Sequence, residues 1–368
     1  MSIVIPAALQ VCLDDVGWWC GRDDRAIGGP SRSGFIRNHC AADYEAIHQF
    51  GQAIGQVIYC AFILGEWDPE GRLSREIPHF APLNHRPDPV EMQKAVEIIN
   101  ASPYIEVAVH GLCHGYYAPD NPTKDTSDYY IRYAKDRMEM IPEPEVRLRL
   151  DAFFSLCREH GIAKPIRGFV PPSGAYRGFE LSKILKDYGL LYNVSSFHRP
   201  LRFTNVPDPA LLDEVFVEDG FITLKDQIDP IPWDAHDADM TALDPCYGVL
   251  GMHWPNILHA DPNRHGETLQ KLIPYFERCA DTFGIVISKD VAFAATQALY
   301  RKYAILCGDT LDLSAVPPAL GRQERFVLSS TKPLRFHGAE VVSAETKDGF
   351  INYELNPHRL TVSIKTGL

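Results

Sequence analysis

The chain is short of positive charge. Its 36 lysines and arginines face 48 aspartates and glutamates, a formal net charge of −12. Binding along a phosphate backbone needs a basic face, so nucleic acid is not an expected partner. No apolar run approaches the ~20 residues of a membrane-spanning helix. C-x-x-C pairs are absent, although there are nine cysteines. Scattered thiols in odd number argue against a disulfide framework and for a reducing compartment. The apolar N-terminus, Met1 to Leu13, has no basic region and no small-residue cleavage site, and it runs straight into Asp14-Asp15. It reads as a buried first strand rather than a secretory signal, and a cytoplasmic protein is the expectation. No repeat, low-complexity segment or block of like charge is present. Hydrophobic residues make up 45% of the 368 positions, which supplies an ordinary core without staples.

What is present is a repeated alternation of short apolar strands and amphipathic helices. Gln10–Val16, Val57–Leu64, Ile105–Val109, Arg167–Val170, Leu191–Val194, Phe221–Leu224 and Val249–His253 read as strands. Ala41–Gly55 reads as a helix with Tyr44, Ile47 and Phe50 on one face. Asp88, Pro89 and Glu91 form the start of another, in a capping-box pattern. Pro144–His160, Phe179–Tyr188, Thr268–Phe283 and Val291–Tyr303 complete the helices. Strands alternating with helices imply parallel pairing through crossovers. The expected fold is α/β, a distorted (β/α)7-type barrel spanning residues 1–317, with chemistry at the C-terminal strand ends. Three polar segments, Trp18–His39, Trp67–Arg86 and Tyr116–Pro142, follow strand ends. Each is expected either to shape a cleft or to cover the barrel rim. From Pro318 onward the runs alternate with period two, with K-D-G and N-P-H-R as turns. Residues 318–368 are therefore expected to form a small C-terminal antiparallel β unit, packed on its host or serving as an accessory module.

Four polar pieces fall at the predicted strand ends. The first strand ends in Asp14-Asp15-Val16-Gly17. At a strand terminus both carboxylates can reach one site, one as a metal ligand and one as a base; a solvated pair at a turn fits equally. The third ends in His110-Gly111-Leu112-Cys113-His114. Residues at i and i+4 share a face if the chain turns there, so two imidazoles can converge on zinc. Alone, H-x-x-x-H fits one core histidine and one exposed one just as well. The next strand leads into Val170-Pro171-Pro172-Ser173-Gly174, a rigid turn that can offer the Ser173 backbone N–H as an oxyanion donor. The late strand Val249–His253 carries a histidine followed by Trp254, in position for a general acid or for a structural role.

In this order the four pieces resemble the polysaccharide deacetylase family, the chitooligosaccharide-deacetylase homology domain of carbohydrate esterase family 4. The family's T-F-D-D-G is matched by C-L-D-D-V-G, with a valine inserted before the glycine. Its H-[ST]-x-x-H is matched by H-G-L-C-H, with Gly111 at the hydroxyl position that would brace a ligand. Its third motif is matched by F-V-P-P-S-G, with Val170 where an arginine holds the base aspartate, and its fifth by V-L-G-M-H. The fourth, an Asp near a Trp, is loosely echoed by Asp229-Pro230-Ile231-Pro232-Trp233. The resemblance spans Gln10 to Tyr303 and excludes the β unit. It implies Asp15, His110 and His114 as ligands of Zn2+ or another divalent metal, Asp14 as general base, His253 as general acid and the Ser173 N–H at the oxyanion. Aromatic faces stack on sugars, so Trp233 and Trp254 are expected at the substrate, a core role fitting each equally, and Tyr176 is expected at the substrate as well. Arg22, Arg25, Arg177 or Lys225 are candidates for the missing arginine's charge, whereas Arg167 lies three residues from Val170 and faces the other side of a regular strand.

The implied activity is metal-dependent removal of an N-acetyl group from a carbohydrate, possible substrates including a precursor of surface polysaccharide. Two other readings fit the same residues. One is hydrolysis of a non-peptide C–N bond in a small molecule on the same barrel. The other is a catalytically degenerate glycan-binding barrel, which Val170 favours.

Overall fold

The computed structural model describes residues 2–17, 37–80, 88–121, 127–134, 137–176, 180–195, 214–228 and 230–366. Seven parallel strands form the barrel: β1 (Ala7–Val16), β2 (Ile58–Ile63), β3 (Ile105–Gly111), β4 (Gly168–Phe169), β5 (Tyr192–Ser195), β6 (Phe221–Ile228) and β7 (Val249–His253). They pair in chain order, and β7 pairs back onto β1 to close the ring. Helices α1 (Ala41–Ile54), α2 (Pro89–Ala101), α3 (Glu143–His160) and α4 (Glu180–Asp187) separate the first five strands, and α5 (His265–Ala280) follows β7. The fold is therefore the (β/α)7-type barrel that the alternation predicts. Its distortion lies in β1, which pairs with β8 (Ile285–Ile287) over Ala7–Leu9 and with β7 over Gln10–Asp14.

The period of two along each strand divides the side chains between two cores. Leu9, Val11 and Leu13 of β1, Val107 and Val109 of β3, and Leu250 and Met252 of β7 pack outward with Tyr44, Ile47 and Phe50 of α1 and Leu272 and Phe276 of α5. Cys12, Ala61, Ala108, Val194 and Leu224 share the inner cluster with Tyr59. Tyr59 occupies so much of the barrel that a Cβ at Gly168 would stand 2.1 Å from its hydroxyl oxygen. Only glycine fits there, which explains a strand otherwise weakened by that residue.

Two four-stranded antiparallel sheets complete the chain. One joins Phe326–Ser330, Phe350–Pro357 and Ala339–Lys347 to the N-terminal Ile3–Val4. The other joins Thr361–Thr366 and Leu334–His337 to Thr310–Asp312 and Ile305–Cys307, so these sheets also use residues before 318. They pack on α6 (Val291–Tyr303), where Tyr300 stacks on Phe326 at 4.2 Å and the Gln297 amide donates to the carbonyls of Pro6 and Val327.

Two local expectations differ. Asp88 caps α2 by accepting from the Val90 N–H, but Glu91 accepts from the Ala41 N–H of the neighbouring helix and leaves the capping box open. The polar segment Tyr116–Pro142 contains a hairpin, Tyr130–Ala134 with Arg137–Met140, whose Tyr130 and Met138 are buried.

At the opposite end of β3 from the histidines, Glu106 titrates abnormally. Burial, reinforced by the Asp290 carboxylate, pushes it up to about 8, against a smaller opposing pull from the Val291 N–H and Arg167. The native state thus holds this proton more tightly than the unfolded chain, where glutamate titrates near ~4.3. Stability from this group is complete below the unfolded value and is lost as pH rises from about 4 to about 8. Urea denaturation across that range is expected to show Glu106→Gln gaining on the unsubstituted chain by on the order of 3 kcal/mol at the alkaline end. Parallel stability curves would contradict the assignment.

Candidate functional site

A cavity of about 540 Å³ opens at the C-terminal ends of the barrel strands. Its walls carry Cys12, Asp14 and Asp15 from β1, His110 and His114 from β3 and its turn, Val170 and Ser173 after β4, Val194 from β5, Asp226 from β6, Gly251 and His253 from β7, and Trp233 from the loop before β7.

Three donors converge on one side. One ligand atom each from Asp15, His110 and His114 lies within 4.8 Å of the other two, and all three residues are buried. His110 Nε2 is 3.3 Å and His114 Nε2 3.6 Å from Asp15 Oδ1. The second nitrogen of His110, Nδ1, donates to the Val170 carbonyl at 2.7 Å. That bond fixes the tautomer and aims the Nε2 lone pair at the cluster. Burial opposes a charge on His110, but the hydrogen bond to Asp15 and the Asp14 carboxylate outweigh it and raise its pKa. Asp15 (φ 61°), His114 (φ 58°) and Ser173 (φ 55°) all have left-handed backbone, which non-glycine residues seldom adopt. At Asp15 this turn swings the second carboxylate of the pair toward the same cavity as the first. Tyr44 anchors the turn from α1 by donating its hydroxyl to the Gly17 carbonyl.

Asp14 and His253 meet through barrel closure. The β1–β7 register makes them direct partners, with Gly251 opposite Cys12 one step further in. Parallel neighbours lie about 4.8 Å apart with side chains on one face, so closure sets a carboxylate beside an imidazole. The Cys12 thiol donates to Asp14 Oδ1 at 3.3 Å. Burial raises the Asp14 carboxyl above its usual range, with His110 and His253 pulling it back. Among the described residues the cavity wall has no arginine or lysine. Lys225, beside Asp226, pairs its backbone N–H with the Glu214 carbonyl and stays off the wall. Arg167 is exposed at the far end of β4. Arg22, Arg25 and Arg177, like Asp229, lie outside the described residues.

The aromatic expectations divide. Trp233 stands at the rim, 45% exposed. Trp254 does not line the cavity: it is the first residue after β7 and packs in the outer core, stacking on His39 at 4.0 Å and packing on Tyr44 at 4.9 Å. His39 is held there by Asp43, which also accepts from Arg37 and pairs with His265. Tyr176 is likewise a core residue, its hydroxyl 3.1 Å from Glu218 Oε2. Neither lines the cavity. Asn256 joins the two halves of the mouth: its Oδ1 accepts from the His253 N–H at 2.7 Å, and its Nδ2 donates to the carbonyls of Pro232 and Ala235 around Trp233.

Asp226 is the wall residue that sequence reasoning passed over. Its signal was present in F-I-T-L-K-D-Q-I, where Ile222, Leu224 and Asp226 share the inward face and the last is a carboxylate at a strand's C-terminal end. A strand reading of Phe221–Leu224 stops four residues short of the observed end at Ile228, and so leaves Asp226 out.

Fold and site together define a (β/α)7-type barrel with an Asp-His-His cluster at its mouth. No family model and no curated protein matches the sequence. Among solved structures, the 4-alpha-glucanotransferase from Thermococcus litoralis is similar with a TM-score of 0.40 and 12% identity. The match covers 77% of this chain and 39% of that one, so the chain spans about two fifths of its length. No described helix is long and apolar enough to cross a membrane.

Proposed function

We propose that the chain is a metal-dependent hydrolase that removes the N-acetyl group from a sugar. The observation that carries this reading is the convergence of Asp15, His110 and His114 within 4.8 Å, beside the Asp14–His253 register pair. One carboxylate and two imidazoles are a donor set that suits zinc and leaves room for water and substrate. Bound there, zinc would polarise the amide carbonyl and acidify a water molecule.

The chain's own residues supply the proton transfers. Asp14 takes a proton from the attacking water as its oxygen bonds to the acetyl carbon. The Ser173 backbone N–H faces the oxygen that gains charge. His253 donates a proton to the sugar nitrogen as the C–N bond breaks, and acetate and the free amine leave. Val170 does not remove the base. The Cys12 thiol and the β1–β7 register orient Asp14 without an arginine at that position. Trp233 offers an exposed ring for a sugar face, and the cavity volume suits a small-molecule site. The eight described cysteines are free thiols, in keeping with a cytoplasmic enzyme acting on a precursor of surface polysaccharide.

The test is acetate release. The zinc-loaded chain, incubated with a panel of N-acetylated mono- and oligosaccharides, is expected to release acetate and free amine in equal amounts. Bound zinc without acetate from any sugar would shift the reading to hydrolysis of another C–N bond. A chain that binds no divalent metal would leave only glycan binding.

A further inference from the structure

We propose that Asp128, held by Arg149, is a positioning residue of the metal centre, and that its carboxylate sets the turn carrying His114. The inference rests on the functional reading above. It concerns two residues that are absent from the cavity wall and act through it.

The turn between the two histidines is built around a carboxylate. Asp128 Oδ2 accepts from the backbone N–H groups of Leu112 at 3.0 Å and Cys113 at 3.2 Å. Successive N–H groups converging on one anion form a nest, a concavity that matches a carboxylate. The Cys113 thiol adds a contact to Asp128 Oδ1 at 3.3 Å. Gly111 belongs to the same arrangement. Its φ is +128°, and a Cβ there would stand 2.1 Å from Asp128 Oδ2. The hydroxyl side chain that the resembling motif carries at this position therefore has no room, because the Asp128 carboxylate already occupies the space.

Arg149 completes the device from α3. Its Nη1 donates to Asp128 Oδ1 at 2.8 Å and its Nη2 to the Pro78 carbonyl at 2.7 Å. Both side chains are 0% exposed. Asp128 and Arg149 lie 21 residues apart in the sequence, outside the site's motifs, yet the carboxylate bonds to the two residues between Gly111 and His114 and, among the described residues, to nothing that lines the cavity. His114 follows Cys113 directly and has a left-handed backbone, φ 58°. Its imidazole direction is thus set by the nest, as a partner behind a ligand sets a ligand.

The experiment measures zinc affinity by competition with a chromogenic chelator, and the visible spectrum of the Co2+-loaded chain, well below the melting temperature. Asp128→Asn is expected to weaken zinc binding by about 10–100-fold and to shift the cobalt bands, because the amide cannot accept from two N–H groups and a guanidinium as the carboxylate does. Asp128→Asn leaves Arg149 buried without its counter-charge and can fail to fold, so the double variant Asp128→Asn with Arg149→Met is measured beside it. That variant removes both charges together, and it is expected to fold and still bind zinc weakly with a shifted spectrum. A folded double variant with unchanged zinc affinity and unchanged cobalt bands overturns the proposal while leaving the functional reading intact. Failure of the unsubstituted chain to bind zinc overturns both.

Discussion

Asp14→Asn is expected to lower kcat by about 10²–10⁴-fold while the chain keeps its zinc. The substitution keeps the shape of the side chain and removes its capacity to take a proton. Asp14 is outside the three-donor cluster, so metal content should not change. The comparison that matters is with Asp15→Asn, one residue on. That variant alters a cluster donor and should lose metal and turnover together. The two aspartates are adjacent in sequence, and only the left-handed backbone at Asp15 lets them take different parts in one cavity. Steady-state kinetics with metal analysis on both variants checks the assignment. An Asp14→Asn chain with full activity would sink the base role. Loss of zinc in that variant would instead place Asp14 among the ligands.

His110→Ala and His114→Ala are each expected to weaken zinc binding by more than about 100-fold, beyond the usual cost of losing a partner behind a ligand. Each removes one of three donors from a buried cluster. Their consequences for the rest of the chain should differ. His110 also donates to the Val170 carbonyl, so its removal leaves a buried carbonyl without that bond and should lower the melting temperature of the metal-free chain. His114 is set by a turn whose bonds to Asp128 survive its truncation, so His114→Ala should be nearer to the unsubstituted chain in stability. Calorimetric zinc titration and thermal melts in chelator separate the two effects. Stoichiometric, tight zinc in both variants would refute the cluster as the binding site.

Much of the barrel was legible because its signals are local. Val249–His253 and Val291–Tyr303 come out with the boundaries the periodicity predicts. Asp14, His110 and His253 were legible as strand-end residues because a period of two assigns each to a face. The same rule, carried one residue further, places Trp254 outside, which is the core alternative of the sequence reading. Asp226 lies beyond the expected strand end at Leu224, which falls four residues short of the observed end at Ile228. Asp128 had no signal at all, since nothing within its own stretch of sequence refers to the turn it fills.

The sequence by itself determined the alternating strands and helices, the inward or outward side of most strand residues, and the residue types from which a metal centre could be built. These follow from backbone periodicity and from the few conformations open to glycine and proline. Only the tertiary structure decided which of those residues meet. The pairing of Asp14 with His253 depends on the register in which the last barrel strand returns to the first, and the position of His114 on a carboxylate and guanidinium from distant segments. Register and long-range contact are set by which distant segments pack together as the barrel closes, a condition that no local stretch of the chain contains.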